Sequence, residues 1–472
     1  MAMEEGSWNH LPSVILLEVF TYLSQKERIR ASSTCKQWRG TLFHSSFWPT
    51  VHFRLKTKDE DSVLRTRYQL KHFATKLRNA TISFDAMDLI CVQEAARIIQ
   101  TLRKNESLRR LSLQPSHCRI EVPGRFAGDR ITFIERHFMK PLQQLMQNCR
   151  SIEFLDLGCL EEICQHASKL TYILGQNHAR SLHHLRLASI KDDPECYLLD
   201  ELPPALFRPF QMLQVLSVDY DYLSDEMLPV ISNLGLRQFI IHVHGVEEDH
   251  PGIPDSAWAE FANHNPSCEV HLILIHAYDA VEILDSTIFR PSMPLSFLKV
   301  FFCENVNYTA LQRISLWYYN TLQSLWWIDS IGATSNSFCL VEPSVEPIAQ
   351  PDPLVMMAWR CTKLKELVFL GYKYYEDDLI AIARLRGSGL QKFEIHAQDI
   401  LRVSDVPDAL EFRPCHHTTA GHTLCNPQPG TWGPRTVMFS QSVQVWNQTV
   451  STVVPVRSCL HSIIATLACL PL

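Results

Sequence analysis

The chain has 472 residues, of which 46% are hydrophobic and 20% are charged, and its formal net charge is −6. This composition is typical of a globular protein and excludes a disordered or fibrous chain, while the length exceeds that of one ordinary domain. The mild acidity argues against a general nucleic-acid-binding protein, because phosphate neutralisation requires clustered Lys and Arg.

The first predicted elements are two consecutive helices near the N-terminus. Pro12 suits the first turn of a helix, and apolar residues then recur at spacings of three and four, the period of one helix face. These residues are Ile15, Leu16, Val19, Phe20 and Leu23. Ser24 and Glu27 form a capping-box pattern that predicts the start of the second helix. Two helices this short cannot bury all their large apolar side chains alone. They are therefore predicted either to cap the next domain or to bind a partner.

Residues 11–49 resemble the F-box motif. The match includes Leu11-Pro12, a Cys35-x-x-Trp38 pair and Phe47-Trp48, in order and in register, while Val14, Glu27 and Thr34 depart from the usual pattern. The resemblance implies docking onto Skp1, the adaptor of a cullin–RING ubiquitin ligase. The residues that it implies form or support this interface are Leu11, Pro12, Ile15, Leu16, Val19, Phe20, Leu23, Ile29, Cys35, Trp38 and Trp48.

A phrase of the form apolar-x-x-apolar-x-apolar recurs through the rest of the chain. Its copies begin at Leu77, Leu108, Ile152, Leu182, Leu213, Leu236, Leu295, Leu322, Leu364 and Leu390, with a weaker copy at Val270-Leu272-Leu274. The short intervals between copies fit leucine-rich repeats, and the longer ones require insertions. The Asn or Cys of the usual repeat phrase is mostly absent, so an irregular repeat is expected.

Segments with helical spacing separate the copies of the phrase. They cover residues 88–104, 131–148, 160–175, 256–263, 309–319 and 379–385. Strand–helix units repeated in this way predict an α/β fold, with the N-terminal helical F-box followed by an irregular leucine-rich-repeat-like solenoid. The alternative is a doubly wound α/β domain, which needs glycine-rich turns, and this chain has only 16 glycines.

The predicted domains are an F-box helical domain at residues 1–50, a repeat domain at 51–403 and a divergent tail at 404–472. Segments 352–364 and 379–387 look like the last repeats of an F-box family member, which extends the resemblance to residues 8–398. From Cys415 onward the chain has no Asp, Glu or Lys and two arginines. The tail is either a disordered or irregular extension or the product of an alternative exon or a shifted reading frame. Residues 332–353 are predicted to be a surface loop between repeats.

Aromatic residues cluster beside two of the later repeats. Trp317, Tyr318, Trp326, Trp327 and Tyr374 either pack in the core or contact a substrate, since Trp and Tyr are frequent interface anchors. Residues 54–78 hold eight basic and three acidic side chains. They are predicted to be solvated surface with a modest field that attracts an acidic partner.

No set of residues in the sequence supports catalysis. Neither a G-x-S-x-G nor an H-E-x-x-H motif occurs. The best zinc candidate, residues 415–425, has adjacent ligands that form a poor cage. We therefore predict no catalytic residue, no metal site and no cofactor. Scattered cysteines and the lack of a secretory signal or a long apolar stretch predict reduced thiols in the cytoplasm or nucleus, away from membranes and nucleic acid.

These features predict a non-catalytic substrate-recognition subunit of an SCF ubiquitin ligase. The helical pair would bind Skp1, and through it a cullin and a RING subunit, while the repeats would bind a protein substrate that is then ubiquitinated. The alternative is a leucine-rich-repeat scaffold in which the helical pair is only a cap. A third alternative is a hydrolase or metal enzyme, which would require bound zinc or an activity that is lost when Cys415 or His422 is mutated. The repeats carry no code from which the substrate could be identified.

Overall fold

The computed structural model describes most of the chain up to residue 401. The described ranges are 11–122, 127–191, 201–245, 250, 252–329, 352–387, 389–395 and 399–401. They form two compact units. The first contains the residues up to Tyr222 together with Pro229–Arg237, and the second contains Leu223–Leu228 and the residues from Gln238 on. The predicted tail, the zinc candidate and nearly all of the predicted loop at 332–353 lie outside the described residues.

The first unit begins with helices and then alternates strands with helices. Its helices are α1 (Ser13–Thr21), α2 (Gln25–Ala31), α3 (Lys36–Leu42), α4 (Glu60–Phe73), α5 (Leu89–Leu102), α6 (Ala127–Ile134), α7 (Lys140–Asn148), α8 (Glu161–Cys164) and α9 (Ala167–Asn177). Its strands are β1 (Thr50–Arg54), β2 (Asn79–Phe84), β3 (Arg110–Pro115), β4 (Phe154–Asp156), β5 (His184–Arg186) and β6 (Val215–Asp219). A π-helical turn at Glu135–Met139 joins α6 to α7, and α10 (Met227–Ser232) follows β6 in the chain.

The second unit has the same alternation of strands and helices. Its strands are β7 (Gln238–Val243), β8 (Glu269–Ile275), β9 (Leu295–Phe301), β10 (Ser324–Ile328), β11 (Glu366–Leu370), β12 (Tyr374–Tyr375), β13 (Lys392–Ile395) and β14 (Ile400–Leu401). Its helices are α11 (Asp255–His264), α12 (Tyr278–Glu282), α13 (Tyr308–Trp317), α14 (Pro353–Arg360) and α15 (Glu376–Arg386).

Within each unit the main strands pair in parallel and in chain order. In the first unit β1 to β6 are neighbours in sequence order. In the second unit the order is β7-β8-β9-β10-β11-β13, and β12 and β14 form a separate parallel pair. Parallel strands joined by helices are the expected product of repeated strand–helix units. The predicted α/β repeat fold with N-terminal helices is confirmed.

The apolar positions of the repeat phrase form the core. In register across the first unit lie Val51, Ala80, Leu111, Leu155, Leu185 and Leu216. Each is at most 3% exposed. Because side chains alternate between the two faces of a strand, the residues between them occupy the opposite face. The phrase therefore predicts both the strands and which face is buried.

Buried polar side chains stabilise the turns that lead from helices into strands. Asn105 is fully buried, and its amide donates to the carbonyls of Ala74 at 2.6 Å and Leu77 at 3.0 Å. The Cys149 thiol donates to the Asn105 carbonyl at 3.1 Å. Both side chains satisfy backbone groups that the turn takes out of water. Asn and Cys are thus present in these repeats, three positions before the apolar phrase.

Gly158, two residues after the end of β4, has a backbone conformation that residues with side chains rarely adopt. Its φ is +69°, and an added Cβ would lie 2.5 Å from the Pro115 ring and 2.6 Å from the Leu113 carbonyl oxygen. We expect Gly158→Ala to lower the free energy of unfolding by about 1–3 kcal/mol, through backbone strain and the close contacts. Urea denaturation measures this loss. Gly128→Ala is the control, because no atom lies within 4 Å of its added Cβ. Equal midpoints for the two variants would contradict the prediction.

Candidate functional site

The N-terminal segment has three helices where the sequence predicts two, because the chain turns at residues 32–35 and α3 begins as a separate helix. The three helices form a small helical module, residues 11–48. The predicted capping box is present: the Ser24 amide donates to the Glu27 carboxylate at 2.8 Å, and the Glu27 amide donates to the Ser24 hydroxyl at 3.4 Å. The Arg28 guanidinium donates to the Phe20 carbonyl at 2.7 Å, where a cation stabilises the negative end of α1. These contacts fix a tight turn between α1 and α2.

An aromatic cluster holds the module together. Leu16 and Phe20 are fully buried. The Phe20 ring lies 5.8 Å from the Trp38 ring in an edge-to-face arrangement and 5.9 Å from the Phe47 ring. The Arg28 guanidinium lies over the Phe47 ring at 4.6 Å. The interior of the module is therefore built by α1, α3 and the turn at Ser45–Phe47.

The module packs through Trp48 against the first strand–helix unit, which consists of β1 and α4 and which we call the first repeat. The Trp48 indole N–H donates to the Leu42 carbonyl at 2.6 Å, and its ring stacks on Phe73 of α4 at 4.3 Å. Beside it, Phe43 stacks on His72 at 4.5 Å. The module thus covers one end of the first repeat with aromatic side chains.

Another set of apolar side chains in the module remains uncovered. Val14 is 72% exposed, Ile15 49%, Tyr22 80% and Ile29 49%. Ile15, Val19 and Tyr22, the residue that caps the C-terminal end of α1, are four and three positions apart, which aligns them along one face. Helix α2 has no buried residue. We call this set, Ile15, Val19, Tyr22 and Ile29 with Val14 at its edge, the apolar stripe.

Eight of the eleven residues predicted to bind Skp1 are accessible in the module. These are Leu11, Pro12, Ile15, Val19, Leu23, Ile29, Cys35 and Trp38, which are exposed or half-buried. The other three, Leu16, Phe20 and Trp48, lie in the interior and support the helices.

The sequence prediction did not include Tyr22 or Val14. Tyr22 is seven positions after Ile15, so helical spacing alone would have placed it on the stripe. Its hydroxyl donates to the Glu18 carboxylate at 3.0 Å, and this hydrogen bond raises the pKa of Tyr22. Val14 occupies a position at which the family motif usually has an acidic residue. The motif therefore does not indicate an apolar side chain at the edge of the stripe.

Three of the five aromatic residues predicted to contact a substrate are buried in the second unit. Tyr318 and Trp327 are fully buried and Tyr374 is 1% exposed. The Tyr318 hydroxyl donates to the Arg290 carbonyl at 3.0 Å, and the Tyr374 hydroxyl donates to the Asp352 carboxylate. Burial leaves these three side chains with almost no accessible surface in the described part of the chain, so only the other two can contact a partner directly in this conformation.

The other two, Trp317 and Trp326, are half-buried. The Arg313 guanidinium lies 5.0 Å over the Trp317 ring. The ammonium groups of Lys299 and Lys392 lie 4.5 Å and 3.9 Å from the centre of the Trp326 ring, and its indole N–H donates to Glu366 at 2.9 Å. Burial lowers the pKa of Lys299 to about 8. Trp326 is thus held on its strand by three charged neighbours.

In the part of the chain that the structure describes, no helix combines the length and the apolar character needed to cross a membrane.

Comparison with known proteins identifies the module. A family model described as F-box-like matches residues 8–54. The chain is 24% identical to F-box only protein 33 of Homo sapiens over 441 residues, covering 83% of this chain and 77% of the relative. For the Mus musculus protein the identity is 23% over 447 residues, covering 83% and 76%. The chain is also 24% identical over 324 residues to F-box/LRR-repeat protein 21 of Ovis aries, covering 66% of this chain and 68% of the relative. The predicted resemblance is confirmed.

Proposed function

We propose, from the F-box-like domain that the chain carries at residues 8–54, that it is the substrate-recognition subunit of an SCF (Skp1–cullin–F-box) ubiquitin ligase. The helical module binds Skp1 and, through it, the cullin and the RING subunit. The repeats bind a protein substrate, which the assembly ubiquitinates for degradation. The chain itself is a non-catalytic adaptor that contributes proximity, because holding two reactants together raises their effective concentration.

The observation that carries this proposal is the apolar stripe. Its side chains repeat at four and three positions along α1, the spacing with which a helix enters a partner's groove. Full burial of each large apolar side chain contributes about 1.5–3 kcal/mol. Helix α2 buries none of its residues within the chain, and a seven-residue helix is marginal on its own. A partner that covers the stripe would stabilise both helices.

Each part of the chain has a place in this proposal. Residues 1–50 form the Skp1-binding domain, residues 51–403 the repeat domain and residues 404–472 a tail of divergent, low-charge sequence. Accessible residues of the module make the contact, and Leu16, Phe20 and Trp48 support it from inside. For the substrate, only Trp317 and Trp326 of the predicted aromatic set have accessible surface. The proposed location is the cytoplasm or nucleus.

Direct binding to Skp1 tests the proposal. Purified full-length chain titrated with purified Skp1 should give a one-to-one complex by isothermal titration calorimetry. Adding the cullin, the RING subunit, a conjugating enzyme and ubiquitin should then give ubiquitin transfer that depends on the chain. A folded chain that gives no complex with Skp1 at micromolar concentration would overturn the proposal.

A scaffold in which the module is only a cap is the second candidate. The stacking of Trp48 on Phe73 favours it, since the module does cover the first repeat. If the module were only a cap, however, no partner would cover the apolar stripe. In that case neither Skp1 nor cullin would co-purify with the chain from cells. The same titration therefore separates the two functions.

A further inference from the structure

The face of the first unit's sheet opposite the buried row is polar and basic. In register across it lie Asn79, Arg110, Phe154 and His184, and two positions further on lie Thr81, Ser112, Asp156 and Arg186. We call these residues, with Thr50, His52, Arg54, Ser83 and Gln114, the polar strand face. It carries three arginines and one carboxylate, although the whole chain is acidic.

A cavity of about 290 Å³ lies on this face. Its lining reaches from Thr50 on β1 to Arg186 on β5. At a strand spacing of about 4.8 Å this distance is about 19 Å, which about six residues of an extended peptide would span. Hydroxyl and amide groups between the arginines, including Ser112 and Gln114, suit the backbone of such a peptide.

Arg110 is prepared to receive an anion. Its guanidinium stacks over the Phe154 ring at 4.5 Å. Stacking holds the plane of the group and leaves the N–H donors at its edge available. Among the residues that the structure describes, no carboxylate pairs with Arg110.

Arg186 is a second arginine of the cavity and lies at its β5 end. One of its Nη atoms lies 3.5 Å from the Asp156 carboxylate, and 16% of its side chain remains exposed to the cavity. Asp156 also accepts from the Gly158 amide at 2.9 Å and the Ser112 hydroxyl at 3.4 Å. The carboxylate is therefore compensated by its neighbours, and the cavity, with two arginines against one carboxylate, keeps an excess of positive charge.

We propose that the polar strand face binds an extended acidic segment of a protein partner, whose Asp or Glu carboxylates pair with Arg110 and Arg186. The fork of N–H donors on a guanidinium matches the two oxygens of a carboxylate. Arg54 at the end of β1 adds to the positive charge of this face, which raises the rate of encounter with such a segment. The inference rests on the proposed function in one respect, that the partner is taken to be the substrate.

Fluorescence anisotropy with the full chain tests this proposal. The probe is a fluorescein-labelled peptide of about twelve residues with alternating Glu and Gly, and its control has Gln in place of Glu. We expect the Glu peptide to bind at least about tenfold more tightly than the Gln peptide, because the ion pairs are charge-assisted. The affinity should fall as salt is raised to about 0.3 M.

Variants locate the site. Arg110→Glu should abolish the preference for Glu, and since Arg110 is exposed, the variant should fold. Arg110→Lys should retain part of the affinity, because it keeps the charge but loses the planar stack. Arg150→Glu is the matched control: Arg150 is an exposed arginine of the same unit that pairs with Glu106 and lies off the polar strand face. It should bind like the unmodified chain.

Equal binding of the Glu and Gln peptides, or an undiminished preference in Arg110→Glu, would overturn the inference. Skp1 binding, measured on the same samples, separates this failure from that of the proposed function. A chain that binds Skp1 but not the Glu peptide refutes only the acidic-segment site. A chain that binds the Glu peptide but not Skp1 refutes only the ligase function.

Discussion

Replacing both Ile15 and Ile29 with Glu is expected to lower the affinity of the chain for Skp1 by at least about a hundredfold. Each isoleucine is 49% exposed in the free chain. Because about half of each side chain is left to bury on binding, losing the two apolar anchors removes about 1.5–3 kcal/mol of binding free energy. That is a factor of about ten to a hundred in affinity, and burying two carboxylates in an apolar groove adds a further penalty.

The same substitutions should leave the fold intact, because neither side chain is buried in the free chain. Calorimetric titration with Skp1 measures the affinity, and thermal unfolding checks stability. Ile90→Glu is the matched control: it introduces the same charge at an isoleucine on α5 that is 62% exposed. Undiminished Skp1 binding by the double variant would remove the apolar stripe as the interface.

The repeat phrase predicts the main strands β2 to β11 and β13 because it contains two independent signals. Its alternating positions bury one face, as at Leu111 and Leu113 on β3, while the position three residues earlier, Leu108, is also buried. The phrase did not extend back to β1. There Trp48, Val51 and Phe53 have the same spacing and are buried, but Trp48 had been assigned to the helical motif. Trp48 thus belongs both to the helical module and to the first repeat.

Helix α4 shows why other elements were missed. The sequence predicts solvated basic surface at residues 54–78, yet a 14-residue helix, Glu60–Phe73, forms within this segment. The residues that it buries include Ser62 and Thr66 as well as Leu70 and Phe73, so hydrophobic spacing marks only its last turn. The Asp59 side chain caps the helix by accepting from the Ser62 amide at 3.0 Å. The sequence therefore contains the capping residue that marks the start of α4, but it does not contain a continuous row of apolar residues along the helix.

The candidate site was predictable in part. The helical module and the capping box could be derived from local patterns, whereas burial depends on tertiary packing. An aromatic residue beside a repeat has the same sequence signature whether it lies in the core, like Trp327, or is half-buried, like Trp326. The polar strand face escaped prediction because Arg110 and Arg186 are far apart in sequence and meet at one cavity only through the parallel register.

Phe20→Ala is expected to unfold the helical module while the repeats remain folded. Phe20 is fully buried against Trp38 and Phe47, and removing a buried phenylalanine ring costs about 3–5 kcal/mol. The three helices have nine, seven and seven residues. Helices of that length do not persist without tertiary packing. The repeats depend on their own strand–helix contacts, so they should lose only the cover that Trp48 provides.

Hydrogen exchange measured by mass spectrometry checks this result. Peptides from residues 11–48 should lose protection in Phe20→Ala, and peptides from β2 to β5 should keep it. The Ile15/Ile29 double variant should keep protection in both regions although it loses Skp1. Phe20→Leu, which preserves most of the apolar volume, should cost less than about 1.5 kcal/mol and retain the module. Unchanged protection in Phe20→Ala would show that the module does not depend on this cluster. Loss of protection throughout β2 to β5 would show that it is an integral part of the repeat fold.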